Sequence, residues 1–560
     1  MSDPCSSVIE RTDPANQRMA AAVGGSARRI LCVFPRYEPS LGSFDYAYDI
    51  TGGLRAFMPP QGLLVIAASL PAGWQVRFID ENIDPAQPED FVWADAVFVS
   101  GMHVQRLRII DICQRAHAAG KPAVLGGPSV SASPQLYSEF DYLHVGEIGD
   151  ATTELFAMLA RDCTRPRSQM RLETRERLPL DQFPIPAYEL VSFEYYFIGS
   201  IQFSSGCPFT CEFCDIPGLY GRVPRMKRPQ QIIAELDKLL ACGLSTSVYF
   251  VDDNFIANRR AVRELIPHLI AWQERHSFPI AFAFEATLNI AKYPDLLANL
   301  RDAYFTGIFC GIETPEPEAL RHMSKEQNMM VPILDAVDRL NDYGMEVVAG
   351  MIIGLDTDNP DTERRIATFI EQSNIPMLTL NLLQALPRTP LWDRLEREQR
   401  LSDDPDRESN VVFKMPYDQT IAIWRACLEH AYDPARLFRR YDYQIRRTYP
   451  HRRKRPPRPG QLTFKNLRRG LTMLAKVCWK LGVLAGYRRA FWGYAWPRLK
   501  EGRIEEIIAT GIIAKHLITF ARKACAGELN ASHYSAKVRV QREPARAIEV
   551  GVQHGQSVDV

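Results

Sequence analysis

The 560-residue sequence lacks the features that would assign it to a membrane-spanning, secreted or nucleic-acid-binding class. No run of about 18 apolar residues occurs, so we predict no membrane-spanning helix. The opening stretch MSDPCSSVIERTDPANQ has acidic residues and no apolar core, which argues against a secretory signal. The 67 basic and 66 acidic residues leave a formal net charge of +1, so we expect no nucleic-acid partner. We therefore predict a cytoplasmic protein.

Cysteine is also sparse, and only one group of cysteines is closely spaced. Most of the 12 cysteines, such as Cys32 and Cys310, stand singly in apolar runs, which is typical of reduced, buried thiols. The exception is the stretch SSGCPFTCEFCDIPG, where Cys207, Cys211 and Cys214 follow a Cys-x3-Cys-x2-Cys spacing.

This group lacks a fourth ligand close by. No further Cys or His follows at zinc-finger spacing, which disfavours a zinc site, although a distant ligand would still complete one. Thiolates also bind iron–sulfur clusters, and three of them can hold a four-iron cluster while one iron stays open to a small molecule. We predict a [4Fe–4S] cluster on Cys207, Cys211 and Cys214.

Residues 29–160 alternate short apolar strands with helical patterns, which predicts an α/β domain with a doubly wound, Rossmann-like parallel sheet. Ligands bind such sheets at the carboxyl ends of the strands, where glycine lets them approach the backbone. The predicted strands end at Ser100-Gly101, Gly126-Gly127 and Gly146-Glu147. A Pro- and Arg-rich linker, residues 161–198, is expected to follow.

The alternation resumes over residues 199–400, where six strand–helix units predict a (β/α)6 partial barrel that is open on one side. Residues 401–525 change to apolar helical segments interrupted by basic residues, and they include the strongly basic stretch RRTYPHRRKRPPRPG. Residues 1–28 and 526–560 are expected to be disordered.

The cysteine spacing, with Phe213 before the third cysteine, resembles the hallmark of the radical S-adenosylmethionine (SAM) superfamily. The resemblance implies that the open iron binds SAM and that reductive cleavage yields a 5′-deoxyadenosyl radical. Polar residues at the ends of barrel strands are then candidates for SAM binding, together with Phe213. They are Asp252, Asp253, Glu313 and Gln384.

Each of these candidates also has a structural interpretation. Asp253, and Asn254 beside it, would serve equally well as helix caps. Gln384 would serve equally well in packing. Glu313 ends an apolar strand, which favours a ligand role. No catalytic side chain is assigned.

The segments MPPQGLLVIAASL, VLGGPSVSASP and VGEIGDAT resemble cobalamin-binding domains that precede some radical SAM barrels. The usual Asp-x-His-x-x-Gly motif is absent, which implies cobalamin bound without a histidine lower ligand. His103 is expected near the cofactor but not on cobalt. The absence of a G-x-G-x-x-G fingerprint argues against NAD. The predicted cobalamin contacts are Ser100, Gly101, His103, Gly126, Gly127, Gly146 and Glu147.

From Arg29 to about Ser535 the chain resembles the hopanoid C-2 methylase group of cobalamin-dependent radical SAM methyltransferases, through stretches such as CDIPGLYGR, VYFVDDNFIANR, FCGIETP and YRRAFWGYAWPRL. The resemblance implies transfer of a methyl group from methylcobalamin to an unactivated carbon of a polycyclic lipid, most specifically C-2 of a hopanoid. The alternative is another substrate of the same architecture, through C-methylation or ring rearrangement. A methylthiotransferase is disfavoured because no second cysteine triad occurs near the N-terminus.

The resemblance also implies a reducing partner such as ferredoxin or flavodoxin. In the C-terminal region, basic residues accompany Trp479, Trp492 and Trp496, which fits a surface that lies on an anionic membrane leaflet. The alternative is an ordinary helical domain that packs over the barrel mouth. Both interpretations remain open at this point.

Overall fold

The computed structural model of the protein describes residues 9–10, 26–404, 406–456 and 464–528. The segments predicted to be disordered, 1–28 and 526–560, lie largely outside these residues. No helix in the described ranges has the length and apolar character needed to cross a bilayer.

The N-terminal domain is built on a seven-stranded sheet in which every strand but the first is parallel to its neighbours. Its order is β1-β3-β2-β4-β5-β6-β7. The strands are β1 (Ile9–Glu10), β2 (Arg29–Phe34), β3 (Gln75–Asp80), β4 (Ala96–Ser100), β5 (Ala123–Gly126), β6 (Tyr142–Val145) and β7 (Met170–Glu173). The connecting helices are α1 (Tyr48–Thr51), α2 (Gln61–Ser69), α3 (Pro88–Trp93), α4 (Arg106–Ala118), α5 (Pro128–Ala132) and α6 (Asp150–Arg161).

This strand order is that of a flavodoxin-like doubly wound sheet, whose order reverses between β2 and β4. Ligands of such sheets bind where the order reverses, outside the carboxyl ends of the strands. The sheet also extends further along the chain than expected, because β7 lies inside the segment predicted to be a linker. The stretch MRLE has no apolar run that would predict a strand, and it becomes one only by pairing with β6 in the folded domain.

The central domain has six parallel strands in sequential order, with β8 and β15 as the two edge strands of the described sheet. The strands are β8 (Gly199–Ile201), β11 (Ser247–Phe250), β12 (Ala281–Glu285), β13 (Phe305–Glu313), β14 (Glu346–Ile353) and β15 (Met377–Leu382). A two-stranded hairpin, β9 (Ser204–Ser205) with β10 (Arg225–Met226), follows β8. The helices are α7 (Ile216–Leu219), α8 (Pro229–Ala241), α9 (Arg259–Arg275), α10 (Pro294–Asp302), α11 (Pro317–His322), α12 (Ile333–Asp342), α13 (Thr362–Ser373) and α14 (Pro390–Arg397). The open edges make this a partial barrel.

Alternation along the barrel strands places Phe250 and Phe282 on the outer face and several small residues on the inner face. Phe250 and Phe282 face the helices, since the Phe282 ring lies 6.3 Å from that of Trp272 on α9. Residues one position away therefore point into the barrel, and among them are Gly307 and Gly311. The outer aromatic residues pack against the helices, and the inner glycines lie beside larger inner residues such as Tyr249 and Phe309. The predicted α/β fold class is confirmed.

The C-terminal region is helical, as predicted, and it packs on both other domains. Its helices are α15 (Tyr417–Ala431), α16 (Pro434–Tyr443), α17 (Phe464–Trp479), α18 (Arg488–Lys500) and α19 (Ile504–Cys525). Trp424 on α15 donates its indole N–H to the Leu380 carbonyl of β15 at 2.9 Å. His516 on α19 is buried against Phe44, with 5.1 Å between ring centroids.

Candidate cluster and cofactor site

The three closely spaced cysteines lie in the loop between β9 and α7, at the carboxyl end of the first barrel strand. The loop begins at Gly206, whose φ of +93° is left-handed and whose missing Cβ leaves room for the Gly221 carbonyl. The Cys207 amide donates to that carbonyl at 3.2 Å, and the Cys214 amide donates to the Cys211 carbonyl at 3.1 Å. The backbone therefore holds all three thiols on one compact turn.

Cys211 is buried and Cys207 and Cys214 are half-buried, which has a chemical consequence. Burial raises the pKa of Cys214 to about 12 and raises that of Cys207 above its usual range. Thiolates at these positions therefore need a cationic partner. No three His, Cys, Asp or Glu side chains in the described residues converge as a single metal ion would require. Three soft donors on one turn are of the type that binds a multi-iron cluster.

A second layer of polar groups lies against this loop, and it comes from a segment about 110 residues away. Gln327 is buried, and its Nε2 lies 3.2 Å from the Cys211 Sγ. Lys325 forms a buried ion pair with Glu313, and its Nζ lies 5.4 Å from the centroid of the Phe213 ring. Burial alone would lower the pKa of Lys325, but the Glu313 carboxylate and the Cys211 and Cys214 thiols raise it above its usual range.

Glu313 occupies an unusual position at the end of β13. Its φ is +68°, and the register between β13 and β14 shifts between Gly311 and Glu313. This bulge turns the carboxylate toward Lys325 and the cluster loop. A Cβ on Gly311 would lie under 3.0 Å from both Glu313 Oε1 and Lys325 Nζ, so the glycine makes room for the ion pair.

The two aspartates after β11 accept hydrogen bonds from backbone amides of the preceding segment and do not cap a helix. Asp252 is fully buried, and its Oδ1 accepts from the amides of Phe203 and Ser204. Asp253 accepts from the Gly206 amide at 2.7 Å, directly before the first cysteine. Burial raises the pKa of Asp252 to about 8 and that of Asp253 to about 6. Both residues therefore tie β11 to the strand that leads into the cluster loop.

Asn254 and Gln384 have different surroundings. The N-cap of α9 is Asn258, whose side chain accepts from the Ala261 amide, so Asn254 is not the cap of that helix. Gln384 donates to the Glu408 carbonyl at 2.7 Å and accepts from the Asn410 amide at 3.3 Å. Both ends of the Gln384 amide thus bind the loop before α15, which is the packing role that the sequence left open.

A cavity of about 460 Å³ lies between the two domains. It is bounded by the carboxyl ends of the N-terminal strands and by barrel residues Gln202, Leu219, Tyr220 and Val251. Six of the seven predicted cobalamin contacts line it, and these are Ser100, Gly101, Gly126, Gly127, Gly146 and Glu147. The place where the strand order reverses therefore faces the barrel residues beside the cluster loop.

One of the cavity's glycines is required by close approach, and one of its carboxylates links the two domains. A Cβ on Gly127, whose φ is +93°, would lie under 3.0 Å from the Ser100 hydroxyl. Glu147 closes the opposite side, where its carboxylate accepts from Arg225 at 2.6 Å and lies 3.2 Å from Arg177. Glu147 thus joins the two domains across the cavity.

The two histidines near this cavity are placed differently. His103 is absent from the cavity wall and buried, and its Nδ1 lies 2.9 Å from the Ser129 hydroxyl. His144 lines the cavity, and its Nε2 lies 2.8 Å from the Thr152 hydroxyl, while burial lowers its pKa. The sequence pattern did not single out His144, because it stands in a strand without a recognised motif around it.

Comparisons with known proteins agree with this arrangement. The profile of the Radical SAM superfamily matches residues 201–370, and that of a domain of unknown function (DUF4070) matches residues 389–530. The hopanoid C-2 methylase of Rhodopseudomonas palustris (strain TIE-1) is 56% identical over 527 residues, which is 94% of this chain and 100% of that protein. The chain belongs to the hopanoid C-2 methylase family of radical SAM methyltransferases.

More distant matches extend the comparison. An uncharacterized methyltransferase of Synechocystis sp. is 35% identical, over 84% of this chain and 88% of that protein. The solved structure of the cobalamin-dependent SAM radical enzyme OxsB superposes with a TM-score of 0.56 at 13% identity, covering 91% of this chain and 82% of that one. The OxsB match shows a shared fold. Membership of the family confirms the predicted class of enzyme, a radical SAM C-methyltransferase.

Proposed function

We propose that this protein methylates C-2 of a hopanoid and that it uses a [4Fe–4S] cluster, SAM and cobalamin. The observation that carries the proposal is the 460 Å³ cavity at the strand ends of the N-terminal sheet, next to the cysteine loop, in a chain of the hopanoid C-2 methylase family. Bound together, the three cofactors supply a carbon-centred radical and a methyl group.

The residues present fit these groups. Cys207, Cys211 and Cys214 would hold the cluster. Glu313, oriented by Lys325, offers a carboxylate for the ammonium or ribose hydroxyls of SAM. The glycine-bearing cavity wall would hold the corrin. OxsB, which shares the fold, was solved with aqua-cobalamin and SAM bound. The chain's part is to exclude water and to hold these groups in line.

The substrate is tested in a hopanoid-producing bacterium. We expect deletion of the gene to abolish 2-methylhopanoids, and we expect wild type but not Cys211→Ala to restore them, as measured by lipid mass spectrometry. Cys242→Ala is the matched control, because Cys242 is a half-buried thiol outside the cluster loop, so it should restore the product. Unchanged 2-methylhopanoids in the deletion strain would refute the hopanoid assignment.

We also propose that the protein works at the cytoplasmic face of an anionic membrane, through the outer face of α17 and the turn after it. Phe464, Leu467, Leu471 and Trp479 are 52–82% exposed, and at 100° per residue they share one side of the helix. The opposite side buries Val477 against Gly511 on α19. Exposed apolar residues on a helix that also carries Arg468, Arg469 and Lys476 fit an interfacial helix.

The basic stretch beginning at Arg446 contributes less to this surface than its charge suggests. Arg447 pairs with Asp342 at 2.5 Å, Arg453 pairs with Glu274 at 3.2 Å, and Arg452 donates to the Gly344 carbonyl. These arginines bind the barrel, and residues 457–463 lie outside the described ranges. Trp492 likewise donates to the Gly482 carbonyl, so we assign the membrane contact to α17 and Trp479.

Vesicle flotation tests this surface. We expect wild type to float with phosphatidylglycerol vesicles at low salt and less at high salt, since basic residues contribute about 1 kcal/mol each near an anionic leaflet. Leu471→Ser with Trp479→Ser should weaken flotation. Val92→Ser, at a 65% exposed valine on α3, should leave it unchanged. Equal flotation of all three proteins would exclude this face as the membrane contact. We propose that a reductant such as ferredoxin or flavodoxin docks on a different surface from this face of α17.

A further inference from the structure

We infer that Gln327 is a positioning residue that sets the reduction potential of the cluster by donating a hydrogen bond to the Cys211 sulfur. The inference rests on the cluster in the proposed function but not on its substrate. The Gln327 Nε2 lies 3.2 Å from the Cys211 Sγ, and both side chains are buried. A cysteine sulfur bound to iron carries no proton, so it can only accept, and the amide N–H is the donor.

The geometry holds this donor in place. Gln327 lies on a 3-10 turn, Glu326–Met329, and the next residue, Asn328, donates its side-chain amide to the Gly311 carbonyl of β13 at 2.8 Å. Lys325, two residues earlier, is fixed by its ion pair with Glu313. The turn is thus fastened to the barrel on both sides of Gln327, which keeps the buried Gln327 side chain within reach of the sulfur.

The direction of the effect follows from charge. Reduction adds one electron to the cluster, and no bond to sulfur forms or breaks. A donor at the sulfur stabilises the more negative, reduced state, and hydrogen bonds to sulfur are among the factors that set the potential of iron–sulfur clusters. The bond is stronger here than in water because the site is buried. The Gln327 amide therefore makes the cluster easier to reduce. The nearby Lys325–Glu313 pair has no net charge, so it does not cancel this effect on the reduction potential.

The test is a redox titration of the full-length, anaerobically reconstituted protein, with dithionite as reductant and electron paramagnetic resonance as readout. Gln327→Met keeps the side-chain volume and removes the donor. We expect full iron content and a more negative midpoint potential, where each tenfold change in the reduction equilibrium is 59 mV for one electron.

The matched control is Gln273→Met. Gln273 is a fully buried glutamine of the same domain whose amide donates to the Ile280 and Ala303 carbonyls, away from the cluster, so its midpoint should equal that of wild type. An unchanged midpoint in Gln327→Met with full iron would overturn the inference. Gln327→Leu is the second variant, and loss of iron from both would also overturn it, since Gln327 would then retain the cluster and not tune it. The titration needs no lipid, so a failed hopanoid assignment leaves its result intact.

Discussion

Replacing Gly311 by alanine tests the proposed contribution of the Glu313–Lys325 pair to SAM binding. The added methyl would lie under 3.0 Å from both charged ends of the pair, and those ends are buried, so at least one of them must move. Overpacking of this kind costs about 1–3 kcal/mol. We expect that cost to fall on the proposed contact between Glu313 and SAM, so the affinity for SAM should fall roughly 5- to 150-fold, since 1.4 kcal/mol is a factor of ten.

Gly307→Ala is the matched control on the same strand and the same face. Its Cβ would lie 3.6 Å from the Ala283 Cβ, which is ordinary contact, so affinity should change little. The assay is equilibrium binding of SAM to anaerobically reconstituted protein, with iron content measured for each variant. Wild-type affinity in Gly311→Ala at full iron content would refute the reasoning, and so would an equal loss in Gly307→Ala.

Two further predictions concern Gly127 and His516. Gly127→Ala should weaken cobalamin binding, measured by absorbance titration, because the added Cβ would meet the Ser100 hydroxyl. Gly120→Ala is the control and should bind cobalamin normally, because Gly120 also has a positive φ but has open space around it. Burial lowers the pKa of His516 to about 4. The unfolded chain therefore binds a proton at this histidine near pH 6.5, whereas the folded chain does not. The free energy of unfolding should thus decrease as the pH falls from about 6.5 toward 4. In His516→Gln this loss, measured by thermal unfolding against pH, should shrink; an unchanged profile would contradict the prediction.

The cysteine loop and the two α/β domains could be predicted from the sequence, because local patterns determine them. Apolar strands such as RILCVF are buried almost throughout, so their composition alone predicts a strand. The spacing of Cys207, Cys211 and Cys214 is a property of one loop. The glycines at the ends of the N-terminal strands likewise mark where a ligand approaches the backbone, and the cavity lies there.

The tertiary structure decided what the polar side chains do. Asp252 and Gln384 are candidates for SAM binding in the sequence, and the structure shows that both bind backbone groups of segments distant in the chain. Gln327 carried no local signal, since 116 positions separate it from the sulfur it contacts. The arginines of RRTYPHRRKRPPRPG suggested a membrane surface, yet Arg447 and Arg453 meet carboxylates on the barrel. Sequence patterns record periodicity and spacing, whereas a side chain's partner depends on which elements the fold brings within about 3 Å of it.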